Sequence, residues 1–211
     1  MSSELCPLCN SISQEFFHSK KAKYHICSAC KGIFVGKQYL PNPANELVRY
    51  REHNNDVNDV RYQNFVSPIV NAVLKAFKMD SIGLDFGAGP GPVISSLLRE
   101  KDYQIALYDP IFHDNPELLL KQYEYIICCE VIEHFHQPAK EIQLLKTMLK
   151  EGGKLYCMTS IYNHNIDFEA WYYKNDITHV FFYQLETLHF ICEHFDFSGL
   201  EIKNNFITFS N

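Results

Sequence analysis

Four cysteines near the start of the sequence are spaced as two CxxC pairs. Cys6 and Cys9 flank Pro-Leu, Cys27 and Cys30 flank Ser-Ala, and 17 residues separate the pairs. Pairs at this separation can supply four thiolates to one tetrahedral Zn²⁺, whereas a redox CxxC or disulfides are the alternatives. The matched pairs, without a signal-peptide pattern, favour structural zinc. Residues 1–40 are therefore predicted to form a small zinc ribbon with strands at YHIC and GIFVG.

A second candidate site is the stretch DFGAGPGP, residues 85–92, between the apolar runs SIGLDF and VISSLL. A glycine-rich turn in this position brings backbone close to a ligand. The stretch lacks the third glycine of a dinucleotide fingerprint and the GK[ST] of a Walker loop, and Asp85 would repel a pyrophosphate. An acid suits a ligand with an amine and a sulfonium, and Asp109, at the end of the next predicted strand, can accept from ribose hydroxyls. These features point to S-adenosylmethionine (SAM).

The third cluster is Glu130-Val-Ile-Glu-His134. If a helix starts near Glu130, the spacings i, i+3 and i+4 place two carboxylates and an imidazole on one face. Beside a cofactor, such a set could hold a divalent cation. The alternative is that Glu133 and His134 cap the helix or touch substrate without any metal.

These residues lie between elements that predict an α/β fold. Pro68 is predicted to open a helix, IVNAVLKAF. Strands SIGLDF, QIALYD, YEYIICCE and KLYCMTS alternate with helices VISSLLRE and PAKEIQLLKTMLK, the second ending at Gly152-Gly153. A long loop, the helix QLETLHFICEHF and an antiparallel hairpin, GLEIK and FITF around Asn204-Asn205, follow. The pattern predicts a parallel, doubly wound sheet.

Residues 67–211 resemble the class I SAM-dependent methyltransferases. LDFGAGPG is similar to their first motif, ALYDP to the second, YIICCEVIEHFHQP to the segment after the fourth strand, and LKEGGKLYCMTS to the turn into the fifth. The resemblance implies a Rossmann-like methyltransferase sheet whose cofactor contacts are Asp85, Gly87, Ala88, Gly89, Asp109 and Glu130. One departure is that only residues 110–122 stand where the family fits a helix, a third strand and an adenine-contacting loop.

The stretch NDITHVFFYQLETL resembles the THxxFY element of a methyltransferase subgroup that also carries an N-terminal CxxC pair. ExxEH resembles the ubiquinone-pathway O-methyltransferases and the small-RNA 2′-O-methyltransferases, in which a downstream histidine completes a metal site. The matching histidine here is His179, so the resemblance implies a second divalent site of Glu130, Glu133, His134 and His179. Without a metal, His179 is the first candidate for the catalytic base and His134 the second.

Aromatic and polar residues outside the motifs are candidates for the cofactor lid and the acceptor pocket. Two roles are compatible with Tyr50, His53, Asn54 and Tyr62: they form a lid over the cofactor, or they only pack against the fold. Two roles are also compatible with three aromatic residues in the loop after the fifth strand: they line the acceptor pocket, or they belong to the core. These residues are Trp171, Tyr172 and Tyr173.

The 211 residues have a hydrophobic content of 46%, a charged content of 21% and a formal net charge of −6. This acidity argues against a broad nucleic-acid surface, and no apolar run reaches the roughly 20 residues of a membrane span. The expected organisation is a ribbon (1–40), a linker and possible lid (41–66) and a methyltransferase domain (67–211), in the cytoplasm.

The expected function is SAM-dependent methyl transfer to a small-molecule or carrier-bound acceptor. An alternative is an RNA methyltransferase that uses the ribbon for recognition, since residues 1–40 carry five lysines against two acids. A non-catalytic SAM-binding module is the third possibility, against which Asp85, the glycines and Asp109 argue.

Overall fold

A computed structural model describes residues 4–52 and 55–211. The larger of its two sheets has six strands, in the spatial order β5 (Gln104–Tyr108), β4 (Ile82–Phe86), β6 (Tyr123–Cys129), β7 (Leu149–Met158), β10 (Phe206–Ser210) and β9 (Gly199–Lys203). Strands β5, β4, β6 and β7 run parallel, and β10 is antiparallel to both β7 and β9. The predicted doubly wound sheet and C-terminal hairpin are confirmed.

Apolar helices cover both faces of this sheet. Helices α2 (Val60–Ala76) and α3 (Val93–Arg99) pack on the face that carries Tyr125 and Ile127. Helices α4 (Pro138–Thr147) and α5 (Leu185–His194) share the other core with Ile126 and Cys128. Because successive strand residues point to opposite faces, the continuous apolar run of β6 supplies both cores. In the described ranges, no helix has the length and apolarity needed to cross a membrane.

Helix α2 begins eight residues earlier than predicted, so Pro68 lies inside it rather than at its start. Asp59 caps the helix by accepting a hydrogen bond from the Arg61 amide at 2.9 Å. A proline removes the amide that would bond the carbonyl four residues back, here that of Asn64. The Ser67 hydroxyl donates to that carbonyl at 2.8 Å, so a side chain replaces the missing donor.

Helix α4 ends at Thr147 rather than at the Gly152-Gly153 turn, because β7 starts at Leu149 and pairs with Tyr123. A strand irregularity between Tyr123 and Tyr125 takes up the turn. Between Asp109 and β6, the chain forms a short 3₁₀ turn, Pro116–Leu120, in place of a helix and a further strand.

The smaller sheet joins the N-terminal segment to a distant part of the chain. Its strands are β1 (Ser13–His18), β2 (Lys23–Cys27), β3 (Ile33–Val35) and β8 (Phe181–Phe182), in that order. Strand β8 lies within the region predicted as a long loop, and it pairs antiparallel with β3. Gln184 adds a side-chain hydrogen bond to the Lys31 carbonyl at 2.6 Å. The N-terminal strands are therefore continuous with the segment that carries His179.

Candidate active site

A cavity of about 1180 Å³ lies at the carboxyl ends of β4, β5 and β6. In a doubly wound sheet this edge is the usual place for a ligand. The cavity wall includes these predicted site residues: Asp85, Gly87, Ala88, Gly89, Asp109, Glu130, His134 and His179. Glu133 is fully buried next to that wall.

The glycine turn after β4 is fixed by hydrogen bonds to the end of β5. The amides of Gly87 and Ala88 donate to the Tyr108 carbonyl at 2.8 and 3.2 Å. Gly87 has φ +80°, and a Cβ there would lie 2.5 Å from a methyl of Val131. Gly89 has φ +62°, and a Cβ there would meet no atom within 4 Å. Gly87 is thus required by the fold, whereas Gly89 keeps space open above the turn.

Asp109 holds the loops that border the cavity. Its carboxylate accepts backbone hydrogen bonds from Gly89 at 3.1 Å, Ile111 at 2.8 Å and Phe112 at 3.0 Å. A carboxylate has about four acceptor positions, so one remains for a ligand hydroxyl. Asp109 is predominantly a loop-ordering residue in this structure, with its side chain still on the cavity wall.

Asp85 is buried at the end of β4 and accepts a 2.6 Å hydrogen bond from the Ser95 hydroxyl. Burial raises the pKa of Asp85 to about 6, although the Ser95 hydrogen bond acts in the opposite direction. A cationic group near this carboxyl would favour its ionised form.

Two glutamates and a tyrosine form a buried hydrogen-bonded group beside the cavity. The Tyr173 hydroxyl contacts Glu133 Oε1, lies 3.2 Å from Glu130 Oε2 and 3.0 Å from the Thr159 hydroxyl. Burial, with the charge of Glu133, raises the pKa of Glu130 to about 8, and burial raises that of Glu133 to about 7. The Tyr173 hydroxyl has one hydrogen to donate, so only one of the two carboxyl groups can accept from it at a time.

The two predicted histidines lie face to edge, with ring centroids 4.8 Å apart. His134 Nδ1 donates to the Thr178 carbonyl at 2.9 Å, and His179 Nδ1 donates to the Tyr173 carbonyl at 2.7 Å. Burial lowers the pKa of His134, and burial with the charge of His134 lowers that of His179 to about 4. Both rings are therefore neutral near pH 7, and each presents an Nε2 lone pair.

Glu133, His134 and His179 offer ligand atoms that all lie within 4.8 Å of one another. Glu133 Oε1 is 4.0 Å from His179 Nε2, and Glu133 Oε2 is buried without a hydrogen-bond partner in the described chain.

The conditional expectation of a helix starting near Glu130 is wrong. Glu130 has φ +52°, and a 3₁₀ turn, Ile132–His134, follows it because the chain must leave β6 sharply. Glu130 reaches Glu133 through Tyr173 rather than through helical spacing.

Helix α1 (Pro43–Arg51), from the predicted linker, lies along the cavity mouth. Arg49 forms a 2.7 Å ion pair with Asp176, and Glu46 contacts His136 at 2.8 Å. Burial opposes ionisation of Asp176, but the hydrogen bonds from Arg49 and Thr178 hold its pKa below the ordinary range. These contacts place α1 over the segment that carries His179.

The lid and pocket candidates divide between wall and core. Tyr50, Tyr62, Tyr172 and Tyr173 line the cavity, whereas Trp171 packs in the aromatic cluster beneath the small sheet. The Tyr50 ring lies edge-on to His134 at 5.4 Å. His53 and Asn54 lie outside the described residues.

The four N-terminal cysteines converge away from this cavity. Cys6 and Cys30 have sulfurs 3.5 Å apart, and those of Cys9 and Cys27 are 3.3 Å apart. All four sulfurs lie within 4.8 Å of one another. Tetrahedral zinc with Zn–S distances of about 2.3 Å separates its sulfurs by about 3.8 Å, so the set fits one zinc ion. Left-handed residues, Asn10 and Lys31, follow each second cysteine and close the two turns.

Two features of the site were not expected from the sequence. The Arg49–Asp176 pair joins residues 127 positions apart, for which a single sequence carries no local signal. The Asp-Ile-Thr spacing at residues 176–178 does carry one, because an aspartate often accepts from the amide two residues on. Asp176 accepts from both the amide and the hydroxyl of Thr178, at 3.0 and 2.6 Å.

Comparison with known proteins identifies the family. Residues 59–202, more than half of the chain, match the sequence model of a methyltransferase domain family. The chain belongs to this methyltransferase family. None of the curated proteins compared with it matches in sequence.

Solved methyltransferase structures share the fold. A 1,6-didemethyltoxoflavin-N1-methyltransferase from Burkholderia thailandensis, solved with 1,6-didemethyltoxoflavin and S-adenosylhomocysteine, is 11% identical; the match covers 94% of this chain and 99% of that one, with a TM-score of 0.56. Human N-acetylserotonin methyltransferase in complex with SAM is 12% identical over 71% of this chain, with a TM-score of 0.53. A SAM-dependent methyltransferase from Archaeoglobus fulgidus is 19% identical over 66% of this chain and 71% of that one, with a TM-score of 0.52. The methyltransferase chain described here spans 53% of the human enzyme.

Proposed function

We propose that this protein is a SAM-dependent methyltransferase that acts on a small-molecule or carrier-bound acceptor in the cytoplasm. The observation that carries the proposal is a single cavity that joins the glycine turn and Asp109 to two neutral imidazoles and a buried acid. Two structural neighbours contain SAM or S-adenosylhomocysteine, which supports the same cofactor here. No disulfide joins any of the eight cysteines, all of which lie in the described residues, and this supports a reducing compartment.

The proposed cofactor contacts are Asp85, Gly87, Ala88, Gly89, Asp109 and Glu130. The methionine part lies along the glycine turn, where Gly89 leaves space, and a ribose hydroxyl takes the remaining acceptor position of Asp109. A sulfonium is already a good leaving group, so the chain has to position the acceptor, exclude water and take up one proton. Tyr50 and Tyr62 line the cavity from α1 and α2, and they exclude water when both ligands are bound.

The proton is taken up at the Nε2 atoms of His134 and His179. Their Nδ1 protons are held by carbonyl oxygens, so the Nε2 lone pair of each ring is available to an acceptor group. Burial lowers the pKa of both imidazoles, so both rings are neutral proton acceptors near pH 7, and the proposed order stays His179 first and His134 second. The partner carbonyls of Thr178 and Tyr173 keep both rings in the reactive tautomer.

A divalent cation at Glu133, His134 and His179 is the second version of this site. The donor set fits: two neutral imidazoles, a carboxylate, and a buried carboxylate oxygen without a partner in the described chain. Glu130 belongs to this set through its link to Glu133 by Tyr173. A cation bound there would lower the pKa of an acceptor hydroxyl, and the histidines would be ligands.

One experiment separates the two versions. Mn²⁺ is titrated into the protein, with the ribbon zinc confirmed by metal analysis, and free Mn²⁺ is followed by electron paramagnetic resonance. Binding that His179→Ala removes and His189→Ala keeps supports the cation version, because His189 is exposed on α5. If Mn²⁺ does not bind, and turnover survives chelation with zinc retained, the general-base version stands.

The acceptor is proposed to be small because of the size and composition of the cavity. About 1180 Å³ is slightly more than the usual volume of a small-ligand pocket, which allows for a cofactor and one compact acceptor. Aromatic side chains on the acceptor side, Tyr50, Tyr172 and Tyr173, suit a flat or apolar molecule. Two of the structural neighbours are named for small molecules, N-acetylserotonin and 1,6-didemethyltoxoflavin, which supports a small acceptor here.

The first test is calorimetry with SAM. The second follows transfer of the labelled methyl group from SAM to a panel of small phenols, amines and carrier-bound acyl compounds, with total RNA as a parallel acceptor. Methylation of a small molecule supports the proposal. Labelling of RNA, with retention that falls steeply with salt, would instead support the RNA methyltransferase. SAM binding without turnover on any acceptor would leave the binding-module alternative.

The ribbon is proposed to hold one structural Zn²⁺ through Cys6, Cys9, Cys27 and Cys30. Its contact with β8 supports a scaffolding role rather than an RNA-recognition role, since the ribbon sheet ends beside His179. A ribbon of roughly 40 residues buries too little apolar surface to fold without such a ligand. X-ray absorption should show four sulfur neighbours at about 2.3 Å.

A further inference from the structure

Asp176 lies between helix α1 and the turn that carries His179, and each of its carboxylate oxygens has its own partner. Oδ1 accepts from the Thr178 amide at 3.0 Å and from the Thr178 hydroxyl at 2.6 Å. Oδ2 accepts from two nitrogens of the Arg49 guanidinium, Nε at 2.9 Å and Nη2 at 2.7 Å. The Asp176 side chain is only 11% exposed, so these contacts replace the water that an ionised carboxylate would otherwise bind.

Thr178 connects this carboxylate to His134. The residue is fully buried, and its carbonyl oxygen accepts the 2.9 Å hydrogen bond from His134 Nδ1. A carbonyl oxygen has no hydrogen to donate, so this contact exists only in the tautomer that carries the proton on Nδ1. That tautomer leaves Nε2 unprotonated, which is the form needed either to take up a proton or to bind a cation.

Helix α1 also reaches His134 directly. Tyr50 follows Arg49 in this helix, and its ring lies edge-on to the His134 ring with centroids 5.4 Å apart. One turn earlier, Glu46 holds the same helix to His136 at 2.8 Å. Two consecutive residues of α1 therefore contact the ring of His134 and the carboxylate that holds its hydrogen-bond partner.

We propose that the Arg49–Asp176 ion pair positions His134: it holds the Thr178 carbonyl in place and so fixes the imidazole in the tautomer that leaves Nε2 free. Arg49 and Asp176 are positioning residues, because they act on His134 through Thr178. This inference rests on the proposed function of the His134 site, and it applies both to proton uptake and to cation binding there. It gives α1 a role in preparing the site besides bordering the cavity.

The test is the tautomer of His134, measured by NMR of ¹⁵N-labelled histidine in the ligand-free protein. At about pH 8 both rings are neutral, and the shifts of Nδ1 and Nε2 report which nitrogen carries the proton. His134→Ala identifies the signals. The unaltered protein should hold almost only the Nδ1–H form, because the Thr178 carbonyl accepts from that nitrogen alone.

Asp176→Asn is the first variant. Its amide nitrogen cannot accept a hydrogen bond, so the side chain keeps the Thr178 contacts or the Arg49 contacts, but not both. The ratio of the Nδ1–H to the Nε2–H form of His134 should then fall by about tenfold, as expected for the loss of one hydrogen bond to a charged group. Arg49→Met keeps the length of the side chain without its donors, and it should lower the ratio in the same direction.

Glu52→Gln is the matched control. Glu52 accepts from Arg49 Nη1 at 3.1 Å, and it makes no hydrogen bond to Thr178 in the described chain. The variant removes a carboxylate from the same guanidinium, so the tautomer ratio of His134 should stay within about twofold.

Each contrary result overturns a stated part of the proposal. An unchanged ratio in both Asp176→Asn and Arg49→Met overturns the positioning role, and a change in Asp176→Asn alone overturns the role of Arg49. An equal fall in Glu52→Gln would show a general effect of charge near α1 and would overturn the assignment as well. An Nε2–H tautomer in the unaltered protein overturns the proposal even if a variant fails to fold.

The proposed function is tested separately. Calorimetry with S-adenosylhomocysteine on the unaltered protein decides whether the cofactor binds. Absence of binding would remove the SAM proposal without altering the tautomer result, because the NMR measurement uses no ligand.

Discussion

At the residue scale, Gly89 and Gly152 provide a matched pair. Both have left-handed backbone, with φ +62° and +72°, and a Cβ at either position would meet no atom within 4 Å. Gly89 lines the cavity, whereas Gly152 lies in an exposed turn within β7.

Alanine at either glycine should therefore cost a similar 1–2 kcal/mol, roughly, of unfolding free energy, because left-handed backbone is strained for any residue with a Cβ. Affinity for S-adenosylhomocysteine, measured by calorimetry, should fall more than about tenfold only in Gly89→Ala, since its methyl group enters the ligand space. Equal affinities in the two variants would contradict the proposed cofactor position. Gly87 is a poorer test position, because a side chain there collides with Val131 and disturbs the fold itself.

The buried carboxyl of Asp85 predicts a pH-dependent stability. Its folded pKa of about 6 exceeds the ordinary value of 3.8, so the folded protein holds this proton more tightly than the unfolded chain does. The stability contributed by protonation is fully present below about pH 4 and is lost as pH rises through 6. The shift corresponds to about 3 kcal/mol at pH 8.

Denaturant unfolding of Asp85→Asn should reveal this pH-dependent contribution of the Asp85 carboxyl to stability. The unfolding free energy of the variant relative to the unaltered protein should rise by about 3 kcal/mol between pH 4 and pH 8. Asp80→Asn, at an exposed position, should show no such rise. A constant difference for Asp85→Asn across this range would show that the carboxyl titrates normally in the fold.

At the element scale, the contact between β3 and β8 links the ribbon to the active site. Gly32 precedes β3, and a Cβ there would lie 2.4 Å from the ring of Phe181, which is fully buried in β8. The neighbouring Val180 donates its amide to the Glu133 carbonyl at 2.9 Å and accepts from the Val35 amide at 2.9 Å. A shift of β8 therefore reaches both Glu133 and His179.

Gly32→Ala should displace β8 and leave the glycine turn intact. Hydrogen exchange of the amides in residues 178–184 should become faster, while affinity for S-adenosylhomocysteine stays within about twofold. Gly199→Ala is the control, because its nearest contact of 3.7 Å is ordinary. Unchanged exchange in Gly32→Ala would mean that the ribbon strands and β8 move independently.

Local patterns predicted most elements of the sheet, because each strand has an apolar run and each intervening turn has its own glycine, proline or asparagine signal. They failed where the deciding interaction is distant. Strand β8 has two residues and exists because β3 lies beside it, and Pro68 is tolerated because Ser67 replaces its hydrogen bond. For the site, the sequence predicted which residues line the cavity wall. It carried no information on the Arg49–Asp176 ion pair or on the Tyr173 hydroxyl between two acids.

At the scale of the whole molecule, two sheets divide the work of the proposed enzyme. The six-stranded sheet supplies the glycine turn and Asp109. In the described chain, no hydrogen bond joins either of them to the ribbon. The four-stranded sheet ends at β8 and so supports the segment of Asp176 and His179. Cofactor binding and acceptor positioning should therefore depend differently on the four cysteines.

Loss of zinc is expected to separate these two functions. In Cys30→Ser, or after zinc removal by a thiol-reactive mercurial with a chelator, the ribbon loses the ligand that its small core requires. Exchange should then accelerate in residues 23–35 and, through β3, in residues 178–184, whereas affinity for S-adenosylhomocysteine persists. Cys192→Ser is the cysteine control, since that thiol lies outside the four-sulfur set, on α5.

If zinc loss leaves the amides of residues 178–184 fully protected from exchange, the ribbon is an independent module, and a role in recognising a partner such as RNA becomes the better account of it. If zinc loss abolishes cofactor binding as well, the two sheets form one cooperative unit, and the ribbon supports the whole site rather than its acceptor side.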